Sequence, residues 1–164
     1  MRNVSRPDNV FGLTPELLRL NGSSDVILDR DGLLCHHGAP IDPSRAKHVN
    51  GLIFSFPDTR FTIVTNGHSD TSPVEAEVIR TYPPFIKQFR PRLLRGLVDD
   101  PGKSLYVTDS LSETTVAWAV GFNVLYVRNK LTPHPTEQLM RSFRGPVSRP
   151  IGRYIWPLDT LEKK

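Results

Sequence analysis

Residues 25–40 read DVILDRDGLLCHHGAP, and the first half of this stretch decides the fold. Val26, Ile27 and Leu28 make the continuous apolar run of a buried strand, which then ends on a carboxylate, Asp29. A second carboxylate, Asp31, follows, and Gly32 breaks the run. Like charges at the end of a buried strand repel each other and lose hydration. A cation or a shared proton must compensate them.

Outward from this strand, apolar runs alternate with amphipathic segments. Upstream, TPELLRLNG predicts a short helix with Thr14 as N-cap, Pro15 at the first position and Gly22 near the C-cap. Downstream, DPSRAKHVNGLIFSF predicts a helix opened by Asp42 and Pro43, and RFTIVTNG a strand ending in a turn. SPVEAEVIRTY reads as a helix capped by Ser72, PFIKQF as an extended piece and RPRLLRGLV as a short helix. SLYVTDS reads as a strand, LSETTVAWAVG as a helix closed by Gly121 with Trp118 in the core, and FNVLYVRN as the last strand. From about Arg128 the periodicity fades into a proline-rich stretch with more basic than acidic residues, in which TPHPTEQLMRSF could hold a helix. The chain thus divides into a lead segment (1–24), a core (25–128) and a basic tail (129–164).

Strands rich in Val, Ile and Tyr, separated by helical segments, predict a parallel sheet covered on both faces. Three of the strands are followed at once by polar clusters: Asp29/Asp31, Thr65/Asn66 and Asp109/Ser110. Open α/β sheets bind ligands beyond the carboxyl ends of their strands. The three clusters are therefore expected in one crevice.

Composition bounds what the crevice can serve. The chain of 164 residues is the size of one domain and carries a formal net charge of +4 with an isoelectric point of about 9.5. That balance favours anionic partners: a phosphorylated substrate, and nucleic acid or an anionic membrane surface through the basic tail. No apolar run approaches the roughly 20 residues of a membrane span, and no secretory signal opens the sequence. Cys35 is the single cysteine, which rules out an internal disulfide and a cysteine-built zinc site. A reducing intracellular compartment, cytoplasm or organelle matrix, is expected. Oligomerisation is left open.

Oxygen-rich acids suggest a hard cation. Mg²⁺ takes one or two carboxylates plus waters and substrate phosphate, so Asp29 and Asp31 with Asp109 would suffice to hold it. With the phosphate charge screened, one aspartate can attack phosphorus while the other handles the leaving-group proton. The Thr65 hydroxyl and the backbone N–H groups of the following turn, Asn66-Gly67, would meet the phosphoryl oxygens. Lys87 or Arg90 would supply a cation to the transferring group.

These residues resemble a known superfamily, the haloacid dehalogenases. VILDRDGLL resembles its first motif, an apolar strand followed by Asp-x-Asp-Gly; FTIVTNG resembles its second, and SLYVTDSLSETTVAWAVGFNVLYV its fourth. The resemblance covers roughly residues 25–128 and implies a three-layer α/β/α sandwich with a mostly parallel Rossmannoid sheet of about five strands. It implies a phosphatase in which Asp29 forms an aspartyl-phosphate and Asp31 protonates the leaving group, then activates water. Thr65 would bind the phosphoryl oxygens, and Asp109 would hold Mg²⁺ with Asp29 and the Asp31 carbonyl. Glu113 would be a direct or outer ligand. The third-motif cation is Arg90 on the pattern FRPRLL, with Lys87 as the alternative.

The chain departs from the family pattern at Leu33, Thr108 and Glu113, where the family mostly has Thr, Gly and Asp. The gaps between motifs hold no inserted domain, which implies a capless member whose open crevice favours a large substrate, or closure by another subunit or by the tail. The opening RPDNVFGLTPELLRLNGSSDVILDRDG also resembles, faintly, the entry to phosphatases of phosphatidylglycerophosphate. Plainer roles stand beside these. Asp109 and Ser110 can cap the following helix, and Glu113 gains from the dipole of its first turn. His36 and His37 read as solvated, His68 as a residue beside the turn, and Cys35 as a packed small side chain. The rival function is a non-catalytic subunit of this fold, kept for binding or assembly. A phosphotransferase shares the same signature.

Overall fold

The fold is described from a computed structural model covering residues 9–36, 39–65, 73–76, 78–81 and 91–127, with the side chains of 78–81 and of Leu111 set aside. Its centre is β1 (Asp25–Asp29), buried along its whole length. β1 lies between β2 (Arg60–Thr65) and β4 (Ser104–Thr108), with β3 (Val78–Thr81) outside β2 and β5 (Asn123–Tyr126) outside β4. Every pairing is parallel, as the alternation of strands and helices predicts.

Successive residues of a strand face opposite sides of a sheet, so β1 serves two cores. Val26 and Leu28 pack with Phe61, Ile63, Leu105, Val107 and Leu125 in one cluster, and Ile27 joins Val64 and Tyr106 in the other. The first cluster is closed by α1 (Pro15–Asn21), through Leu18, and by α2 (Pro43–Ser55), through Ala46, Val49 and Leu52. The second is closed by α3 (Pro91–Arg95), through Leu94, and by α4 (Leu111–Val120), through Ala117. Removing a side chain such as Leu52 from such a core costs about 2–5 kcal/mol, which makes these helices integral to the sheet.

The caps act as their residue types dictate. The Thr14 hydroxyl accepts from Leu17 N, Pro15 opens α1, and Gly22 closes it at φ +56°. Asp42 Oδ1 accepts from the amides of Ser44 and Arg45, and Pro43 fills the first position of α2. Ser110 caps α4, and Gly121 ends it at φ +104°.

Two expectations are corrected. The segment SPVEAEVIRTY does not make the predicted helix: residues 74–76 carry no regular structure, and Val78–Thr81 is strand β3, paired with Thr62–Thr65 of β2. Val78, Ile79 and Thr81 are β-branched, and the neighbouring strand offers them a hydrogen-bonding edge. Trp118 is not in the core but half exposed, at 50%. In α4 the inward stripe falls on Glu113, Thr114 and Ala117, so the next residue turns outward. Several other expectations lie outside the described residues: the Ser72 cap, PFIKQF and the tail from 129 onward.

Candidate active site at the carboxyl ends of the strands

Parallel register sets the geometry. Asp29 pairs with Val64, and Leu28 with Val107, so the residues following β1, β2 and β4 emerge side by side at one edge of the sheet. Thr65 Oγ1 donates to Asp31 Oδ2 at 3.1 Å, and Thr108 Oγ1 lies 3.1 Å from Asp29 Oδ2. The Asp109 carboxylate packs against Gly32, where an added Cβ would collide with it. Gly32 also has φ +88°, so position 32 suits glycine for two reasons, backbone conformation and room for an acid. Asp29, Asp31, Thr65 and Asp109 therefore converge from three strands, as the crevice argument expects.

The loop after β1 is fastened from beneath. Arg30 is almost wholly buried, at 2% exposure; its Nη1 donates to Asp31 Oδ1 at 2.8 Å and its Nη2 to the Ala39 carbonyl at 2.7 Å. Arg45 Nη1 donates to the Leu33 carbonyl at 2.6 Å. Isolated bridge pairing joins Asp31 to Cys35, and Gly32 N donates to the Cys35 carbonyl at 2.8 Å. Together these bonds tie residues 30–36 into one turn, with Asp31 beside Thr65.

Arg30 also bears on the like charges at the end of β1. A guanidinium 2.8 Å from Asp31 makes a charge-assisted hydrogen bond and offsets one carboxylate from within the protein. Part of the compensation that the aspartate pair requires therefore comes from the chain itself. Sequence reasoning passed over Arg30 because it sits between the two aspartates, where strand alternation assigns it no role. Its position in DRD, one residue from each acid, was the available signal.

Glu113 is buried, at 2% exposure, and its Oε2 lies 3.0 Å from the Tyr106 hydroxyl and 3.1 Å from Thr108 Oγ1. It thus stands behind Thr108, linked to Asp29 through that hydroxyl. Cys35 is buried, and burial pushes its thiol up to about 11, so it is protonated near neutral pH and packs as a small apolar residue. His36 is exposed. Asn66, Gly67, His68, Lys87, Arg90 and His37 lie outside the described residues.

The oxygen donors suit a hard cation: carboxylates of Asp29 and Asp109 and the Asp31 carbonyl are the ligand type that Mg²⁺ prefers. Among the described residues, no three Asp, Glu, His or Cys side chains form a cluster that could hold a metal alone. Mg²⁺ commonly keeps waters and a substrate phosphate among its ligands, so this donor set still fits it. No helix among the described residues is long and apolar enough to cross a membrane. No family model matches the chain, and no curated protein matches it significantly.

Proposed function

We propose that the chain is a Mg²⁺-dependent phosphomonoester hydrolase working through an aspartyl-phosphate, built as a three-layer sandwich of the haloacid dehalogenase kind. The observation that carries this reading is the convergence of Asp29, Asp31, Thr65 and Asp109 at one edge of a parallel sheet.

In this reading an Asp29 oxygen attacks phosphorus, the ester P–O bond breaks, and Asp31 delivers a proton to the departing oxygen. Water then attacks the phosphorus of the acyl phosphate while Asp31 takes its proton, releasing inorganic phosphate and restoring Asp29. Acid–base assistance of this kind contributes roughly 10²–10⁴-fold. The Thr65 hydroxyl and the backbone of Asn66-Gly67 bind phosphoryl oxygens, and Arg90 or Lys87 offsets their charge. Asp29, Asp109 and the Asp31 carbonyl would hold Mg²⁺, which when bound screens the phosphate from the carboxylates. The substrate in this reading is large, or linked to a membrane or nucleic acid that the positive net charge would attract.

The test is phosphate release from an aryl phosphate ester with and without Mg²⁺, in the native chain and in Asp29→Asn. Release that needs Mg²⁺ and falls by at least about 10³-fold in the variant is expected, since the covalent route is lost.

One observation favours a second reading. Because Arg30 offsets Asp31 from inside the protein, the acid cluster has part of its compensation without a metal. A non-catalytic binding or structural subunit of this fold would need no more. Mg²⁺ with a phosphate analogue should raise the melting temperature of an enzyme, by mass action on the folded state, and leave such a subunit unmoved.

A further inference from the structure

Behind Asp29 lies a buried chain of polar side chains that the proposed chemistry does not use. Tyr106 and Thr108 are fully buried, Glu113 is 2% exposed and Asp29 3%. Tyr106 Oη donates to Glu113 Oε2 at 3.0 Å, and Thr108 Oγ1 stands 3.1 Å from Glu113 Oε2 and 3.1 Å from Asp29 Oδ2. The amide of Ser110 donates to the same Thr108 oxygen at 3.1 Å. A serine followed three residues later by glutamate has the spacing of a capping box, in which the acid would reach back to the cap amide. Here Thr108 accepts from that amide, and Glu113 reaches Thr108.

We infer that Thr108, backed by Glu113 and Tyr106, is a positioning residue that fixes the Asp29 carboxylate by its Oδ2 oxygen. A hydroxyl has one proton to donate and two lone pairs to accept with. One lone pair receives the Ser110 amide, which restricts the rotor. Glu113 has a donor of its own in Tyr106, so the Thr108 proton can turn to Asp29. The restraint works because all its members are buried and anchored on β4 and the first turn of α4, where water does not compete. A carboxylate held by one oxygen presents the other in a defined direction. Glu113 is thereby assigned to orientation, while Asp109 packs against Gly32.

The catalytic consequence rests on the phosphatase reading, but the restraint itself does not, and two measurements separate them. The first is a double-mutant cycle of Thr108→Val with Asp29→Ala, read by urea unfolding of the full chain without added metal and repeated with Thr108→Ala should the valine variant not fold. The expected coupling is a departure from additivity of about tenfold in the unfolding equilibrium constant. Additive effects overturn the inference, whatever the activity of the native chain. The second is steady-state phosphate release with Mg²⁺. Thr108→Val should lower kcat on the order of 10²-fold with KM little changed, as a misplaced reacting group does, and Thr108→Ser should recover most of the rate. Coupling with an unaltered kcat in Thr108→Val also overturns the inference, since the bond would then serve stability alone. Coupling in a chain that releases no phosphate supports the held carboxylate and defeats the phosphatase reading instead.

Discussion

Strand β1 begins and ends on an aspartate, and the two are held differently. At its start, Asp25 Oδ1 accepts from Arg60 Nε at 2.7 Å and stands 2.6 Å from Arg60 Nη2. Asp25 Oδ2 accepts from the hydroxyl of Ser24 at 2.7 Å and of Ser104 at 3.4 Å. This acid faces a cation from one neighbouring strand and a hydroxyl from the other, so it clips β1, β2 and β4 together. At the far end, Asp29, Asp31, Asp109 and Glu113 gather around Arg30 and the hydroxyls of Thr65, Thr108 and Tyr106. One end closes the sheet with a matched acid and base. The other concentrates acid at the edge where parallel strands deliver their carboxyl ends, the edge at which open α/β sheets bind ligands.

Three substitutions would break or sharpen this contrast. The largest effect is expected for Arg30→Met, which leaves Asp31 buried without its guanidinium. Unfolding in urea should show a loss of about 3 kcal/mol or more, the usual cost of breaking a buried pair. A cost no greater than that of removing the clip at the other end would erase the distinction between them. Gly32→Ala comes next, with a loss of about 2 kcal/mol from the left-handed backbone and displacement of Asp109. The same variant should also lose the rise in melting temperature given by Mg²⁺ with a phosphate analogue; retention of that rise would show that Asp109 does not contribute to it. Asp25→Asn is the mildest, at about 1 kcal/mol, because Arg60 is 40% exposed and water softens its loss. Phosphate release from this variant should match that of the native chain, and a drop would mean that the two ends are coupled through β1.

Much of this architecture was legible along the chain. The apolar run Val26–Leu28, the caps at Thr14, Asp42 and Ser110, and the terminating glycines Gly22 and Gly121 are local signals, and each acts as expected. Where two readings were locally equivalent, the sequence misled. VEAEVIRT satisfies a helical pattern, yet its β-branched end is a strand because β2 presents an open edge to it. Trp118 is apolar, but the stripe that turns inward on α4 is set by Glu113, whose partners Tyr106 and Thr108 lie on β4. The candidate site was legible only as residues at strand ends. That Thr108, noted for replacing a glycine, carries a hydroxyl between two acids was invisible, because Asp29 lies far from it along the chain.

Read along the chain alone, the residues are enough for the α/β alternation, the parallel direction of the strands and the edge at which Asp29, Asp31, Thr65 and Asp109 collect. These follow from periodicity and capping, which are properties of neighbouring residues. Only the folded chain shows which groups meet across that edge: Thr65 on Asp31, Thr108 on Asp29 and Asp109 on Gly32. The physical reason is register. A shift of one residue between parallel strands would turn Asp29, Thr65 or Thr108 to the opposite face and part them from these partners. The register is set by the packing of two separate cores rather than by any single segment.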